Sequence, residues 1–141
     1  MIEHYEDYLS LSGAITFQEA MEIYNTIVSR LDDSEDGTDL WEEYLQAAVD
    51  YAKIRADWLL LSLEEKEESD PRRTALHDRS IISLNILARW MNRFGRDCSW
   101  RDRLGDGTWR RSDYDVKKEV FRKRIGDFHC YVALIYGLNA R

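Results

Sequence analysis

Residues 71–94 read PRRTALHDRSIISLNILARWMNRF and carry the clearest helical pattern in the chain. Their apolar side chains recur at three- and four-residue steps and spread over roughly 200° of a helical wheel. These residues are Leu76, Ile81, Leu84, Ile86, Leu87, Ala88, Trp90, Met91 and Phe94. Asp70 suits a helix cap, Pro71 suits the first turn, and Gly95 suits a C-terminal stop. The stretch therefore predicts a long central helix that is packed on several sides.

Helical spacing continues on both sides of this stretch. In the capping-box pattern TFQE, the Thr16 hydroxyl can accept from an early backbone N–H while Glu19 reaches back. The predicted helices cover residues 3–11, a segment that follows Thr16, residues 39–68, 71–94 and 113–136, with Gly137 as the last stop. Short connections favour antiparallel neighbours. We predict an all-α fold, a single-domain bundle (1–141) of four to five helices with an irregular Trp/Arg-rich segment between the last two long helices.

The composition bounds the class of protein. The chain has 141 residues, of which 44% are apolar and 33% charged, and it contains a single proline. These proportions are typical of one folded domain and exclude a disordered or low-complexity chain. No apolar stretch approaches the ~20 residues of a membrane span, and the acidic start lacks a signal-peptide pattern. The only cysteines, Cys98 and Cys130, form no CxxC motif. We therefore expect a cytoplasmic protein with no membrane segment.

The net charge of −7 conceals a large asymmetry along the chain. Residues 1–70 contain 19 acidic and 4 basic residues, whereas residues 71–141 contain 8 acidic and 16 basic residues. One interpretation is that the basic half binds a polyanion such as nucleic acid. The other is that the two halves pack together with their charges facing each other. We favour the second, because an acidic protein repels phosphates, and we expect nucleic-acid binding to be unlikely.

Residues 32–43, DDSEDGTDLWEE, resemble an EF-hand calcium loop. A hard cation prefers oxygen ligands, a glycine at position six permits a sharp turn, and a late glutamate can bind through both oxygens. In this resemblance the calcium or magnesium ligands are Asp32, Ser34, Asp36, Thr38 and Glu43. The pattern departs at position eight, where Asp39 replaces the usual branched apolar residue. The alternative interpretation is a solvated acidic connection between two helices, with Asp39 as a helix cap.

Four polar residues fall on helix faces that are otherwise apolar: Arg55, His77, Arg124 and Asp127. A buried charge costs several kcal/mol, as a rough estimate, unless it is paired. These residues are therefore either paired in a structural network, such as Arg55 with Asp127, or they line a polar pocket. In the second case Arg55 and Arg124 would bind a small anion with their forked guanidinium groups.

Residues 90–111 interleave six arginines with four aromatic residues. Arginine and tryptophan are enriched in interface hot spots, so this segment predicts a contact surface for a partner. The candidate interface residues are Trp100, Arg101, Arg103, Trp109 and Arg110. The alternative is a loop whose tryptophans plug the end of the bundle while its arginines meet the acidic half.

The common enzyme motifs GxxxxGK[ST], GxSxG and HExxH are missing from the sequence, which leaves enzymatic activity uncertain. We interpret the chain as a non-enzymatic regulatory or neutralising module that binds a partner protein or forms a homo-oligomer. The alternative is a small-anion or metal-dependent function, ligand-binding or enzymatic, in the interior of the bundle.

Overall fold

A computed structural model of the chain describes residues 15–31, 34–58, 60–104 and 119–139, with side chains over 124–137 in the last range. These ranges contain four α-helices and one 3-10 helix, and no strand. The helices are α1 (Phe17–Leu31), α2 (Glu35–Trp58), α3 (Leu63–Arg93), the 3-10 helix η1 (Ser99–Leu104) and α4 (Glu119–Asn139). The predicted all-α bundle is confirmed, and η1 occupies part of the predicted Trp/Arg-rich segment. None of the described helices has an apolar stretch long enough to cross a bilayer.

Two predicted helix ends are confirmed by their hydrogen bonds. The Thr16 hydroxyl accepts the N–H of Glu19 at 3.1 Å and begins α1. At the end of α3, Gly95 has a φ of 69°, in the left-handed region that glycine occupies without strain. The N–H of Gly95 donates to the carbonyl of Asn92, and the N–H of Arg96 donates to that of Met91. This pair of bonds is a Schellman motif, which satisfies the last carbonyls of the helix.

The predicted boundary at Pro71 is wrong, because the new helix starts eight residues earlier, at Leu63. Helix α2 ends at Trp58 and α3 begins at Leu63, so Pro71 lies inside α3. The reason is a reciprocal capping box. The Ser62 hydroxyl accepts from Glu65 N at 3.2 Å, and the Glu65 carboxylate accepts from Ser62 N at 3.1 Å. This cap satisfies two backbone N–H groups that a helix start leaves open, and it outweighs the proline signal.

The last helix also differs from its predicted bounds. The last helix continues through Gly137 to Asn139, so the predicted stop is wrong. Its predicted start at residues 113–118, and the predicted helix over residues 3–11, lie outside the described residues.

The sequence predicted the helix that contains residues 71–94 as the central one, but among the described elements α4 packs against the most others, namely α1, α2, α3 and η1. Residues 125–132 of α4 are all buried. Helix α2 packs against both α3 and α4, while α1 packs against α4 and η1. Helix α3 keeps an exposed outer face, on which Ile82 and Ile86 are 39% and 43% exposed. The prediction from the broad apolar arc, that this helix is packed on several sides, therefore overestimated how much of α3 is buried. The largest fully buried side chains of the core include Tyr44, Phe128, Ile23, Ile27, Ile81, Leu84, Leu87 and Met91.

The two oppositely charged halves of the chain meet, as predicted. Glu22 pairs with Arg103 at 3.2 Å, and Asp50 pairs with Arg79 at 3.0 Å. Glu19 pairs with Arg124. In each pair the acid comes from residues 1–70 and the base from residues 71–141. Pairs this exposed contribute about 0–1 kcal/mol each, so they set which surfaces face each other more than they stabilise the fold.

Candidate functional site

A stripe along α2 brings polar side chains into the core. Tyr44, Ala48, Tyr51 and Arg55 follow each other at three- and four-residue steps, and all four are buried. Because residues at this spacing share one face of a helix, the stripe forms a continuous edge. The side chains that meet it come from α3 and α4. We call the resulting set the buried polar cluster: Tyr44, Tyr51, Arg55, His77, Asp127 and His129.

Arg55 and Asp127 form the ionic part of the buried polar cluster. The Nη2 of Arg55 donates to Oδ1 of Asp127, and the two side chains are 6% and 0% exposed. The guanidinium carbon lies 6.0 Å from the centre of the Tyr51 ring, and Nη1 lies 3.8 Å from Sγ of Cys130. The predicted structural network between Arg55 and Asp127 is thus confirmed. The charge of the guanidinium is balanced by a buried carboxylate, which favours the structural network over the predicted interior anion pocket.

His129 is the centre of the aromatic part of the buried polar cluster. Its Nδ1 lies 2.6 Å from the hydroxyl oxygen of Tyr44. Burial, together with the nearby positive charges and His77, lowers the pKa of His129 well below its usual value. Burial also raises the pKa of Tyr44 well above its usual value. Both groups are therefore neutral at pH 7, and the tautomer of the imidazole sets which of the two atoms donates in this hydrogen bond.

His77 completes the cluster from α3. Its ring centre lies 5.2 Å from that of Tyr51 and 5.9 Å from that of His129, in both cases edge to face. Its Nδ1 lies 3.8 Å from a carboxylate oxygen of the neighbouring Asp78. The two imidazoles and two phenols thus pack as a set of aromatic rings in the core, in which the Tyr44 hydroxyl meets Nδ1 of His129.

Gly126 makes room for this packing. A Cβ at this position would lie 3.2 Å from Nη1 of Arg55, 3.3 Å from the hydroxyl of Tyr51 and 3.6 Å from Nε2 of His77. Three members of the cluster therefore touch the backbone of α4 where it has no side chain. The close fit is that of a packed core, which favours a structural role for the cluster.

Arg124 does not join the other three predicted pocket residues. Its Nη2 pairs with Glu19, and its Nε donates to the backbone carbonyl of Arg103 at 2.7 Å. Arg124 is three residues from Asp127, but it binds α1 and η1 at the edge of the bundle. The structure thus brings Arg55, His77 and Asp127 together and places Arg124 elsewhere.

The segment predicted as a calcium loop is helical over most of its length. The Ser34 hydroxyl accepts from Gly37 N at 3.2 Å, and α2 begins at Glu35. Gly37 is buried beneath Trp90, where a Cβ would lie 2.5 Å from an indole carbon, so this glycine serves packing. The predicted loop conformation is therefore wrong for Asp36, Thr38 and Glu43, and Asp32 lies outside the described residues. Over the described ranges, no group of three or more His, Cys, Asp and Glu side chains is placed to hold a metal ion.

The predicted Trp/Arg interface is largely turned inward. Trp100 is 2% exposed, and its indole N–H lies 3.3 Å from Sδ of Met91, so it plugs the end of the core. Arg101 is buried and donates through Nε to the Asn85 amide oxygen at 2.9 Å. Arg103 is exposed and pairs with Glu22. The prediction that Trp100 contacts a partner is thus wrong, because its apolar ring fills the gap between α3 and η1. Trp109 and Arg110 lie outside the described residues.

An exposed line of carboxylates runs along the first half of α2, on the face opposite the core. We call it the acidic stripe: Glu35, Asp36, Asp39, Glu42 and Glu43. None of the five forms an ion pair with a residue that the structure describes. By contrast, Glu19, Glu22 and Asp50 are paired with arginines of the second half of the chain. Among the described residues, the acidic stripe is therefore a part of the negative charge that no ion pair neutralises.

Three members of the buried polar cluster, Tyr44, Tyr51 and His129, were not predicted from the sequence. The spacing offered a signal for two of them. His129 lies four residues after Ile125 on the inner face of the last helix, and Tyr44 lies eleven residues before Arg55 on one stripe.

Comparison with protein-family models, with curated proteins and with solved structures finds no match for this chain.

Proposed function

We propose that this chain is a non-enzymatic module that binds a basic partner protein through the acidic stripe of α2. The observation that supports the proposal is the concentration of charge. Five exposed carboxylates fall within nine residues of one helix, with no basic residue among them and no ion pair to a described residue. A single-sign surface of this kind speeds the encounter with an oppositely charged protein and fixes its orientation.

The rest of the molecule supports a binding role over catalysis. The two opposite charges of the buried polar cluster, Arg55 and Asp127, are paired with each other, and the cluster is closely packed around Gly126. The tryptophan that was a candidate for a partner contact fills the core. The acidic stripe is exposed, and beyond the place of Glu35 and Asp36 in the first turn of α2 it forms no ion pair with a described residue. Cys98 and Cys130 are free thiols, which supports a cytoplasmic, reducing setting for this function.

The experiment is a comparison of two variants with equal charge. The first replaces Asp36, Asp39, Glu42 and Glu43 of the acidic stripe by the corresponding amides. The control makes the same change at four exposed acids elsewhere, Asp57, Glu64, Glu67 and Glu68. A partner captured by the wild-type chain is identified by mass spectrometry and purified, and its Kd is measured for all three proteins across a salt series.

We expect the stripe variant to weaken binding at least tenfold and to flatten the salt dependence, while the control changes Kd less than threefold. Lysozyme serves as a generic basic protein to measure non-specific attraction. Equal weakening by both variants, or an equal affinity for lysozyme, would show that only the net charge matters and would contradict the proposal.

A further inference from the structure

An open groove of about 570 Å³ lies between the C-terminal half of α3 and the turn that leads into η1. Its α3 wall contains Asn85, Arg89 and Asn92, which recur at four- and three-residue steps. The facing wall consists of residues 96–102. The volume falls in the range of small-molecule sites, about 300–1,000 Å³. The groove lies outside both the buried polar cluster and the acidic stripe.

The wall opposite α3 is held rigidly. Arg96 donates through Nη1 to the backbone carbonyls of Arg30 and Leu31, at 2.6 and 2.9 Å, and its guanidinium stacks 4.7 Å above the Trp90 ring. The carboxylate of Asp97 accepts the N–H of Ser99 at 2.9 Å. These bonds tie the turn to α1 and to α3, so the groove has a fixed shape before any ligand enters.

Arg101 is the most deeply placed charged group of the groove. It is 8% exposed, and its Nε donates to the amide oxygen of Asn85 across the two walls. This bond fixes the plane of the guanidinium. Because Nη2 of Arg101 has no accessible surface, this residue supplies a fixed positive charge behind the groove and not a two-pronged contact to a ligand.

The charge balance of the groove favours an anion. Three arginines line it, Arg89, Arg96 and Arg101, against two aspartates. Asp97 also pairs with Arg30, 3.5 Å away. Arg89 is exposed and forms no ion pair with any described residue. The last carbonyls of α3 accept N–H groups from residues 94–96, so they offer little free negative charge.

We infer that this groove binds a small oxyanion ligand, a carboxylate or a phosphate, with Arg89 as its charged donor and the fixed positive charge of Arg101 behind it. The amides of Asn85 and Asn92 and the hydroxyl of Ser99 supply neutral hydrogen bonds to the rest of the ligand. The inference is independent of the proposed function, since it uses a positive surface at the end of α3, whereas the proposed function uses the acidic stripe of α2.

The test titrates the full chain with sodium phosphate and with sodium succinate, against sodium chloride at matched ionic strength, and follows backbone and side-chain amide signals by NMR. We expect saturable shifts confined to residues 85–102 with at least one of the two oxyanions, and the stronger response identifies which chemistry the groove prefers. Arg89→Gln should weaken this binding at least fivefold.

Arg93→Gln is the matched control, because Arg93 is exposed one turn further along α3 and does not line the groove. It should change the affinity less than twofold, and the NMR spectrum reports directly whether each variant stays folded. Shifts no larger than those with chloride would overturn the inference. Equal weakening by both variants would also overturn it, because binding would then be diffuse attraction to a basic helix.

Discussion

Removal of the buried charge on Asp127 should destabilise the protein more than any surface change. Asp127→Asn keeps the shape of the side chain but leaves the Arg55 guanidinium, 6% exposed, without its carboxylate. Breaking a buried ion pair on one side costs about 3–5 kcal/mol, because the remaining charge is desolvated and uncompensated. A domain of this size has a free energy of unfolding of about 5–15 kcal/mol. The variant should therefore lose a large part of its stability.

The assay is urea denaturation followed by tryptophan fluorescence, in the presence of a reducing agent. With a urea m-value of about 2 kcal/mol per M, a loss of 4 kcal/mol moves the midpoint down by about 2 M. The control is Asp50→Asn, which breaks a pair whose side chains are 32% and 44% exposed. That change should cost about 0–1 kcal/mol, since water screens the pair.

A double-mutant cycle separates the ion pair from packing. Arg55→Met leaves the Asp127 carboxylate buried without its guanidinium, whereas Arg55→Met with Asp127→Asn leaves no buried charge in the pair. We expect the double variant to be more stable than the sum of the two single losses implies, with a coupling of about 1–3 kcal/mol. Additive losses would refute the reasoning, because the two side chains would then contribute independently.

Two further predictions concern the same region. Gly126→Ala should lower the free energy of unfolding by about 1–3 kcal/mol in urea denaturation, since the new methyl group presses on Arg55 and Tyr51. The control is Gly137→Ala in the same helix, where a methyl group meets nothing within 4 Å, so this variant should be neutral or more stable by up to about 1 kcal/mol. Equal effects of the two variants would contradict the packing described. Folding lowers the pKa of His129 below its unfolded value of about 6.5, so the unfolded state binds the proton first as the pH falls. The free energy of unfolding is therefore fully retained above pH 6.5 and should fall by about 2 kcal/mol between pH 7 and pH 5. Denaturation midpoints across this range should show a shallower fall for His129→Gln than for the wild type, and identical slopes would exclude His129 as the cause.

The helical class was predictable from the sequence because apolar spacing and caps agree along much of the chain. Thr16 caps the start of α1, and Gly95 follows the end of α3, as the sequence predicted. The boundary near Pro71 was not predictable from the proline alone, since a proline lowers helix stability but the Ser62 cap adds two hydrogen bonds at a competing start. Local signals of similar strength are decided by tertiary packing, which the sequence does not display.

The candidate site was predictable only in part, for a similar reason. A charged side chain on an apolar helix face needs an oppositely charged partner when it is buried, and for this reason the pair of Arg55 and Asp127 could be predicted from the sequence. The partner of Arg124 came from α1 and η1, so neither periodicity nor spacing within its own helix pointed to it. The groove beside Arg101 depends on how a turn folds back on α3, and no pattern in the residues specifies that placement.

The central claim is that the acidic stripe of α2 recognises a basic partner protein while the fold remains unchanged. The most direct measurement is the Kd for the purified partner with the four-amide stripe variant, beside its equally charged control, with circular dichroism and denaturation midpoints recorded for both. We predict at least tenfold weaker binding for the stripe variant alone, with its helix content unchanged. A folded stripe variant that binds the partner as tightly as the wild-type chain would contradict the claim.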